Sequence, residues 1–397
     1  MKTVLISGAS IAGPTLAYWL SEYGFAPTVV ERAPAPRDGG YKIDIRGAAL
    51  DVVERMGLLP RIEALSTDMR VAHFVDARGE RLASMDAELF GGRENTDVEI
   101  MRGDLGRLLH EATADRAEYI FDDSITSMTE TEDGVLVTFE RGPSRVFDLV
   151  VGADGLHSNV RGLAFGDEGR FTRDLGHHIS IFTVPNHLNL DRVEMGRAEP
   201  GGSALMYATS RAADARAMFL FDSDGPAPGR HDVEGQKKTL AERFAGFGWE
   251  VPRLLDAMAD APDFYFDSLS QIHMDTWSKG RVVLVGDAAY CASPASGQGT
   301  SLSLVGAYVL AGELAAASGD HAAAFAAYER ELRPFVAANQ ALAEGNLKGM
   351  VMKSRLQIRF QMFMLRLLPH LPGSSGMAER VTAKIHKAAT AISLKSY

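Results

Sequence analysis

The stretch that most restricts this chain is Val4-Leu5-Ile6-Ser7-Gly8-Ala9-Ser10-Ile11-Ala12-Gly13. Thr3 to Ser7 is an apolar run with strand character, Ile11 to Glu22 has helical spacing, and Pro27 to Glu31 is a second strand. Together they predict a βαβ unit of about 30 residues. In such a unit the first glycine, Gly8, allows a sharp turn, and the third, Gly13, lets helix and strand pack closely. The middle glycine lets a pyrophosphate approach the backbone. Ser10 stands at that middle position; it is small and can itself donate a hydrogen bond. The helix start at Ile11, Ala12 and Gly13 presents N–H groups and positive partial charge to phosphate. Glu31, followed by Arg32, ends the second strand, where a carboxylate accepts hydrogen bonds from a ribose and disfavours a 2′-phosphate. The unit predicts a bound dinucleotide and leaves NAD and FAD equally open.

At 397 residues the chain is long enough for two domains. Its formal charge of −11 offers no global field for nucleic acid, so no nucleic-acid partner is expected. One cysteine, Cys291, excludes an intramolecular disulfide and a cysteine-rich metal centre, and a cytoplasmic location fits best. The apolar run after Lys2 is interrupted by Gly8, Ser10, Gly13 and Pro14, so neither a secretion signal nor a membrane span is expected there.

Two further stretches carry chemistry. In Asp148-Leu149-Val150-Val151-Gly152-Ala153-Asp154-Gly155 an apolar strand ends in an Asp-Gly turn, followed by Arg161. In Arg281-Val282-Val283-Leu284-Val285-Gly286-Asp287 another buried strand delivers Gly-Asp. A loop with Pro294, Gly297 and Gly299 then opens a long helix near Thr300. Two glycine-rich helix starts far apart in one chain point to an extended ligand held at both ends.

These three stretches, in this order over about residues 1–335, resemble the class A flavoprotein monooxygenases. That family is the para-hydroxybenzoate hydroxylase-like one, which includes aromatic and polyketide hydroxylases and tetracycline-inactivating monooxygenases. The resemblance implies an α/β fold: a Rossmann-like FAD-binding domain, a mostly antiparallel β-sheet substrate domain and a C-terminal helical tail. The FAD domain is expected at 1–72, 97–176 and 274–335, the substrate domain at 73–96 and 177–273, and domain-bridging helices at 336–397. It further implies that Gly8, Ser10, Ile11, Ala12, Gly13, Glu31 and Arg32 bind the ADP half of FAD. Asp154, Gly155 and Arg161 are associated with FAD and NAD(P)H. Gly286 and Asp287 meet the ribityl–pyrophosphate region, and Pro294, Gly297, Gly299 and Thr300 lie beside the flavin ring. Arg102 matches a flavin-contacting arginine, and Arg46 falls near the loop associated with flavin movement.

The implied activity uses NADPH or NADH as transient reductant and O2, forms a C4a-hydroperoxyflavin and hydroxylates an aromatic or polyketide-like small molecule. The cofactor performs that chemistry while the protein positions it. The alternatives are a flavin oxidoreductase that inserts no oxygen and a catalytically inactive flavin- or ligand-binding homologue. No metal is expected, and the assembly is expected to be a monomer or homodimer. Met206, Phe219, Phe221 and Phe266 are candidates to line a substrate pocket over the flavin, with plain core packing as the competing reading. His177, His178 and His187 have no acidic partners at ligand spacing and read as surface or core residues. In the tail, Arg355, Arg359 and Arg366 flank an apolar row of Leu356, Phe360, Phe363 and Leu367. That row is expected to pack as a bridge between domains rather than to lie on a membrane.

Overall fold

The computed structural model describes residues 1–397 apart from 37–38, 95, 212, 224, 226–227 and 368–373, with residues 374–381 described by backbone alone. The opening unit forms as its apolar pattern dictates: β1 (Thr3–Ser7), α1 (Ala12–Glu22) and β2 (Ala26–Glu31). With β3 (Glu118–Phe121), β4 (Leu149–Gly152) and β5 (Val282–Leu284) they build a six-stranded sheet. Its order is Ser278–Lys279, β5, β4, β1, β2, β3, and every pairing is parallel except that of the two-residue edge strand. Val4, Leu5, Ile6, Val150 and Val151 are wholly buried, as expected of a parallel sheet covered on both faces. The chain builds outward from β1 to β2 and β3, then returns to place β4 and β5 on the other side. The strand order therefore reverses between β1 and β4, and the crevice beyond their carboxyl ends is where open α/β sheets hold ligands.

The covering layer is helical. α2 (Gly299–Ala316) is buried continuously from Ser301 to Leu314, packed between α1 and α3 (His321–Met350). It is long and apolar enough to cross a membrane, yet lies inside the core of the molecule. A helix that is apolar all round is buried on all sides. α3 runs without interruption through the boundary expected at 335/336, with Pro334 inside it. One continuous helix thus replaces the junction drawn from sequence. α4 (Arg355–Leu367) and α5 (Ser374–Ala389) follow.

A second, seven-stranded sheet has the order Tyr265–Ile272, Thr172–Pro185, Asp214–Asp222, Gly202–Ala208, Val193–Glu199, Val71–Val75, Arg81–Asp86. It is mixed, with five of its six pairings antiparallel and one parallel. Val71–Val75 enters from the first half of the chain and pairs in parallel with Val193–Glu199. A strand delivered by such a long crossover is free of the hairpin geometry that forces antiparallel neighbours. That strand also begins two residues before the boundary expected at 72/73.

Both faces of this sheet are apolar. One packs under the helices Val233–Phe244 and Val251–Met258 in a core that contains Phe182, Met206, Phe219, Phe221, Phe244 and Phe266. The other turns toward the first sheet: Ile179, Ile181, Leu220 and Leu269 contact Ala295 of the glycine-rich loop and Ala343 and Leu347 of α3.

Candidate active site

Gly8 follows β1 directly. Its φ of +108° lies in the glycine-favouring region, and a Cβ there would sit 2.6 Å from the Ala153 carbonyl oxygen. Gly13 is tighter still: a Cβ would stand 1.9 Å from the Gly8 carbonyl oxygen. These two close approaches fix both glycines of the fingerprint. Ser10 does not break the turn. Its hydroxyl accepts a hydrogen bond from Arg102 Nη2 at 2.7 Å, so the middle position is tied to the helix Arg102–Glu111. The Glu31 carboxylate accepts from the Ala9 N–H and the Ala33 N–H, each at 2.9 Å, and so closes the turn onto the end of β2. Arg32 is exposed beside it, and Ile11 and Ala12 are buried where α1 begins.

The Asp-Gly and Gly-Asp stretches arrive at the same crevice. Asp154, past the end of β4, accepts hydrogen bonds from Ser158 Oγ, the Val160 N–H and Ser7 Oγ. Its low-dielectric surroundings nevertheless push its pKa up. Gly155 has φ +82° and turns the chain toward Ser158, which caps the helix Asn159–Phe165. Arg161, expected at the ligand, is wholly buried instead. It donates to the carbonyls of Leu156 and Ala288 and to Glu168, so it ties the Asp-Gly turn to the Gly-Asp helix. Burial lowers its pKa. Gly286 has φ +65°, and a Cβ on it would touch Ser303 Oγ and Ala12 Cβ. It is therefore the point where β5, α1 and α2 meet.

Asp287 is partly accessible; desolvation raises its pKa, while the charge of Arg102 lowers it. Arg102 is hydrogen-bonded to Ser10, and its charge reaches Asp287. Pro294 and Gly297 are exposed on the loop that follows, where Ser293 has φ +73° and Gly297 φ +66°. Gly299 and Thr300 open α2, whose first N–H groups have no intrahelical acceptor. Immediately before them Gln298 is wholly buried, and neither its Oε1 nor its Nε2 has a partner among the described residues. An orphaned buried amide costs about 1–3 kcal/mol. Its presence beside a helix N-terminus fits a polar ring system seated there, as do the glycine-tight turns at Gly8 and Gly13. The residues present therefore fit an FAD held from Glu31 to Thr300.

Three expectations are corrected. Met206, Phe219, Phe221 and Phe266 do not line a pocket over the glycine-rich loop; they form the core against the two helices on the far face. Phe219 and Phe221 pack edge-on against Phe244 with ring centroids at 4.8 and 5.5 Å. The Arg46 guanidinium is engaged by the Gly91 and Gly92 carbonyls and by Asp44, and only its backbone N–H reaches α2, at Ser301 Oγ. Of the three histidines, His178 is buried in the sheet, while His177 pairs with Asp222 at 3.2 Å and His187 with Glu250 at 2.8 Å. The apolar row of the tail helix faces outward rather than bridging.

Sequence reasoning missed several residues here. Gln298 sits within a stretch already singled out, but nothing in a glutamine's neighbours announces that it lacks a partner. Tyr41 accepts the Arg102 backbone N–H through its carbonyl, and its ring approaches that of Tyr265 at 6.2 Å. Beside them Asp267 and Glu168 bracket His157 at 3.1 and 2.8 Å, and these hydrogen bonds push its pKa up to about 9. Cys291 is buried, donating toward the Ser270 carbonyl, and burial raises its thiol far above the ordinary value. No reactive thiolate is available there.

A family model described as FAD binding domain matches residues 1–343. A protein of Mycobacterium tuberculosis strain H37Rv, described as uncharacterized, is 50% identical over 351 residues, covering 88% of this chain and 94% of its own. A flavin-dependent monooxygenase of an unknown prokaryotic organism is 45% identical over 340 residues, covering 86% of this chain and 88% of its own. The crystal structure of tetracycline destructase Tet(55) superposes with a TM-score of 0.87 at 40% identity, covering 100% of this chain and 99% of that one.

Proposed function

The chain belongs to the class A FAD-dependent monooxygenases, and on that premise we propose that it uses NAD(P)H and O2 to hydroxylate an aromatic or polyketide-like small molecule. The observation that carries this reading is the convergence of the Gly8 turn, Arg102, Asp287 and the unpartnered Gln298 on one crevice. The likeness to a tetracycline destructase over the whole chain supports a polycyclic substrate class.

When bound, FAD supplies the electron transfer from NAD(P)H to O2 that oxygen insertion requires. The chain's residues do the rest. The N–H groups at the start of α1 would hold the diphosphate, and Glu31 would hold the adenosine ribose. Asp287 would accept from the ribityl chain, and Arg102, hydrogen-bonded to Ser10, would bring its positive charge to the cofactor. The N-terminus of α2 at Gly299 and Thr300, with the Gln298 amide, would offer positive partial charge and hydrogen-bond partners to the ring system. Ile179, Ile181, Leu220 and Leu269 present an apolar wall toward the loop and exclude water from the reacting centre.

The test is turnover under ¹⁸O2 with NADPH or NADH and a panel of phenols and tetracyclic polyketides, read by mass. A product carrying one labelled oxygen is expected. Asp287→Ala should lower flavin occupancy of the purified protein by roughly tenfold, the loss of one or two hydrogen bonds near a charge. Reductant consumption that never labels a product, or full flavin occupancy in Asp287→Ala, would overturn the reading.

A further inference from the structure

α4 buries one side and exposes the other. Ile358 and Met362 face the seven-stranded sheet, lining a groove together with Phe74, Val75 and Leu82, and Met362 is 6% exposed. Lys353 pairs with Asp222 at 2.6 Å and Arg355 with Glu199 at 3.6 Å, so the helix start is pinned to the seven-stranded sheet. The opposite side is a continuous apolar row: Leu356 is 78% exposed, Phe360 64%, Phe363 59% and Leu367 36%. At about 100° per residue these four fall within an arc of roughly 60°. Arg355, Arg359 and Arg366 form a second row alongside, within roughly 40°. The segment from Ser354 to Leu367 contains no acid, although the whole chain carries a formal charge of −11. Arg359 and Arg366 have no ion-pair partner among the described residues.

We infer that this face of α4 is a docking surface for an anionic phospholipid bilayer, on which the helix lies in the plane of the interface. The row of leucine and phenylalanine supplies the side chains that enter the acyl boundary, and Arg359 and Arg366 beside it meet the headgroup phosphates. Charge complementarity selects this occupant. On a molecule with excess negative charge, a cationic strip bordering an apolar one is where an anionic surface is attracted rather than repelled. A second copy fits less well. Four side chains on one helix fall far short of the roughly 20–30 residues a side that stable protein interfaces use. Antiparallel pairing about a two-fold axis would also bring both arginine rows to the same side, like charge against like.

The holoprotein is mixed with vesicles of phosphatidylcholine, alone or with one part in three of phosphatidylglycerol, and floated on a density gradient at low and at high salt. Flotation with the anionic vesicles is expected, weaker with phosphatidylcholine alone and reduced by salt. Arg359→Gln and Arg366→Gln should each lower the partition coefficient about fivefold. The double variant Phe360→Ser/Phe363→Ser should lower it at least about tenfold while keeping flavin absorbance and melting temperature. Absence of flotation with anionic vesicles overturns the inference, as does flotation unaffected by the phenylalanine variant. A dimer in sedimentation that dissociates in that variant reassigns the row to a second copy. Loss of flavin or of the folding transition in that variant assigns it to the fold.

Discussion

The two sheets differ in how strongly their sequence constrains them. At the end of the parallel sheet, backbone meets backbone: Gly8 approaches Ala153, and Gly13 approaches Gly8, closer than any Cβ allows. Contacts of that kind have one chemical solution, glycine, and so they print a pattern in the sequence. The seven-stranded sheet holds its place by side-chain packing on two apolar faces, and many sequences satisfy that requirement. The first region announces what it binds, whereas the second conceals which of its faces looks at the ligand.

The largest effect that would sharpen this contrast is at Gly13. Gly13→Ala forces a Cβ against the Gly8 carbonyl and is expected to cost roughly 3–5 kcal/mol, with loss of bound flavin. Urea unfolding followed by flavin release measures both. A stable variant that retains its flavin would break the idea that backbone contact fixes the first region.

A paired substitution examines the second region. Phe219→Ala, in the core under the helices, should cost about 3–5 kcal/mol, yet leave KM unchanged in the protein that remains folded. Leu220→Ala, one residue along and on the opposite face, should cost about 2–4 kcal/mol and change KM for the hydroxylated substrate severalfold. If Phe219→Ala alters KM and Leu220→Ala does not, the assignment of faces is inverted.

The smallest effect lies at the joint between the two regions, where His157 from the Asp154-Gly155 end meets Asp267 of the seven-stranded sheet. Its pKa, raised to about 9 by hydrogen bonds to Asp267 and Glu168, exceeds the ordinary imidazole value. The pairing therefore contributes fully below about pH 6.5 and fades as pH rises through 9. Toward acid, the Glu168 carboxyl, held below its ordinary value first by the His157 hydrogen bond, loses its share as it protonates. His157 is 27% exposed, which screens the interaction. Wild type should lose about 1–2 kcal/mol of stability between neutral pH and pH 10 relative to His157→Gln. Parallel stability curves for the two proteins would remove the ion triad from the joint.

The sequence by itself determined the opening βαβ unit, the three turns that meet at the crevice, and the extended dinucleotide they imply. Each of these rests on short-range sterics or on the chain's local hydrogen-bonding chemistry, which a few neighbouring residues specify. Only the tertiary structure decided the roles of Arg161 and Arg46, because an arginine fork looks the same in sequence whether it meets a ligand or the Ala288 and Gly92 carbonyls. It also decided the faces of the second sheet and of α4. Alternation divides a strand or helix into two sides, but contrast between polar and apolar residues is what identifies the inner one. Where Phe219 and Leu220, or Met362 and Phe363, are apolar on both sides, that contrast vanishes. The layer that reaches each side first in the folded molecule then settles which one is buried.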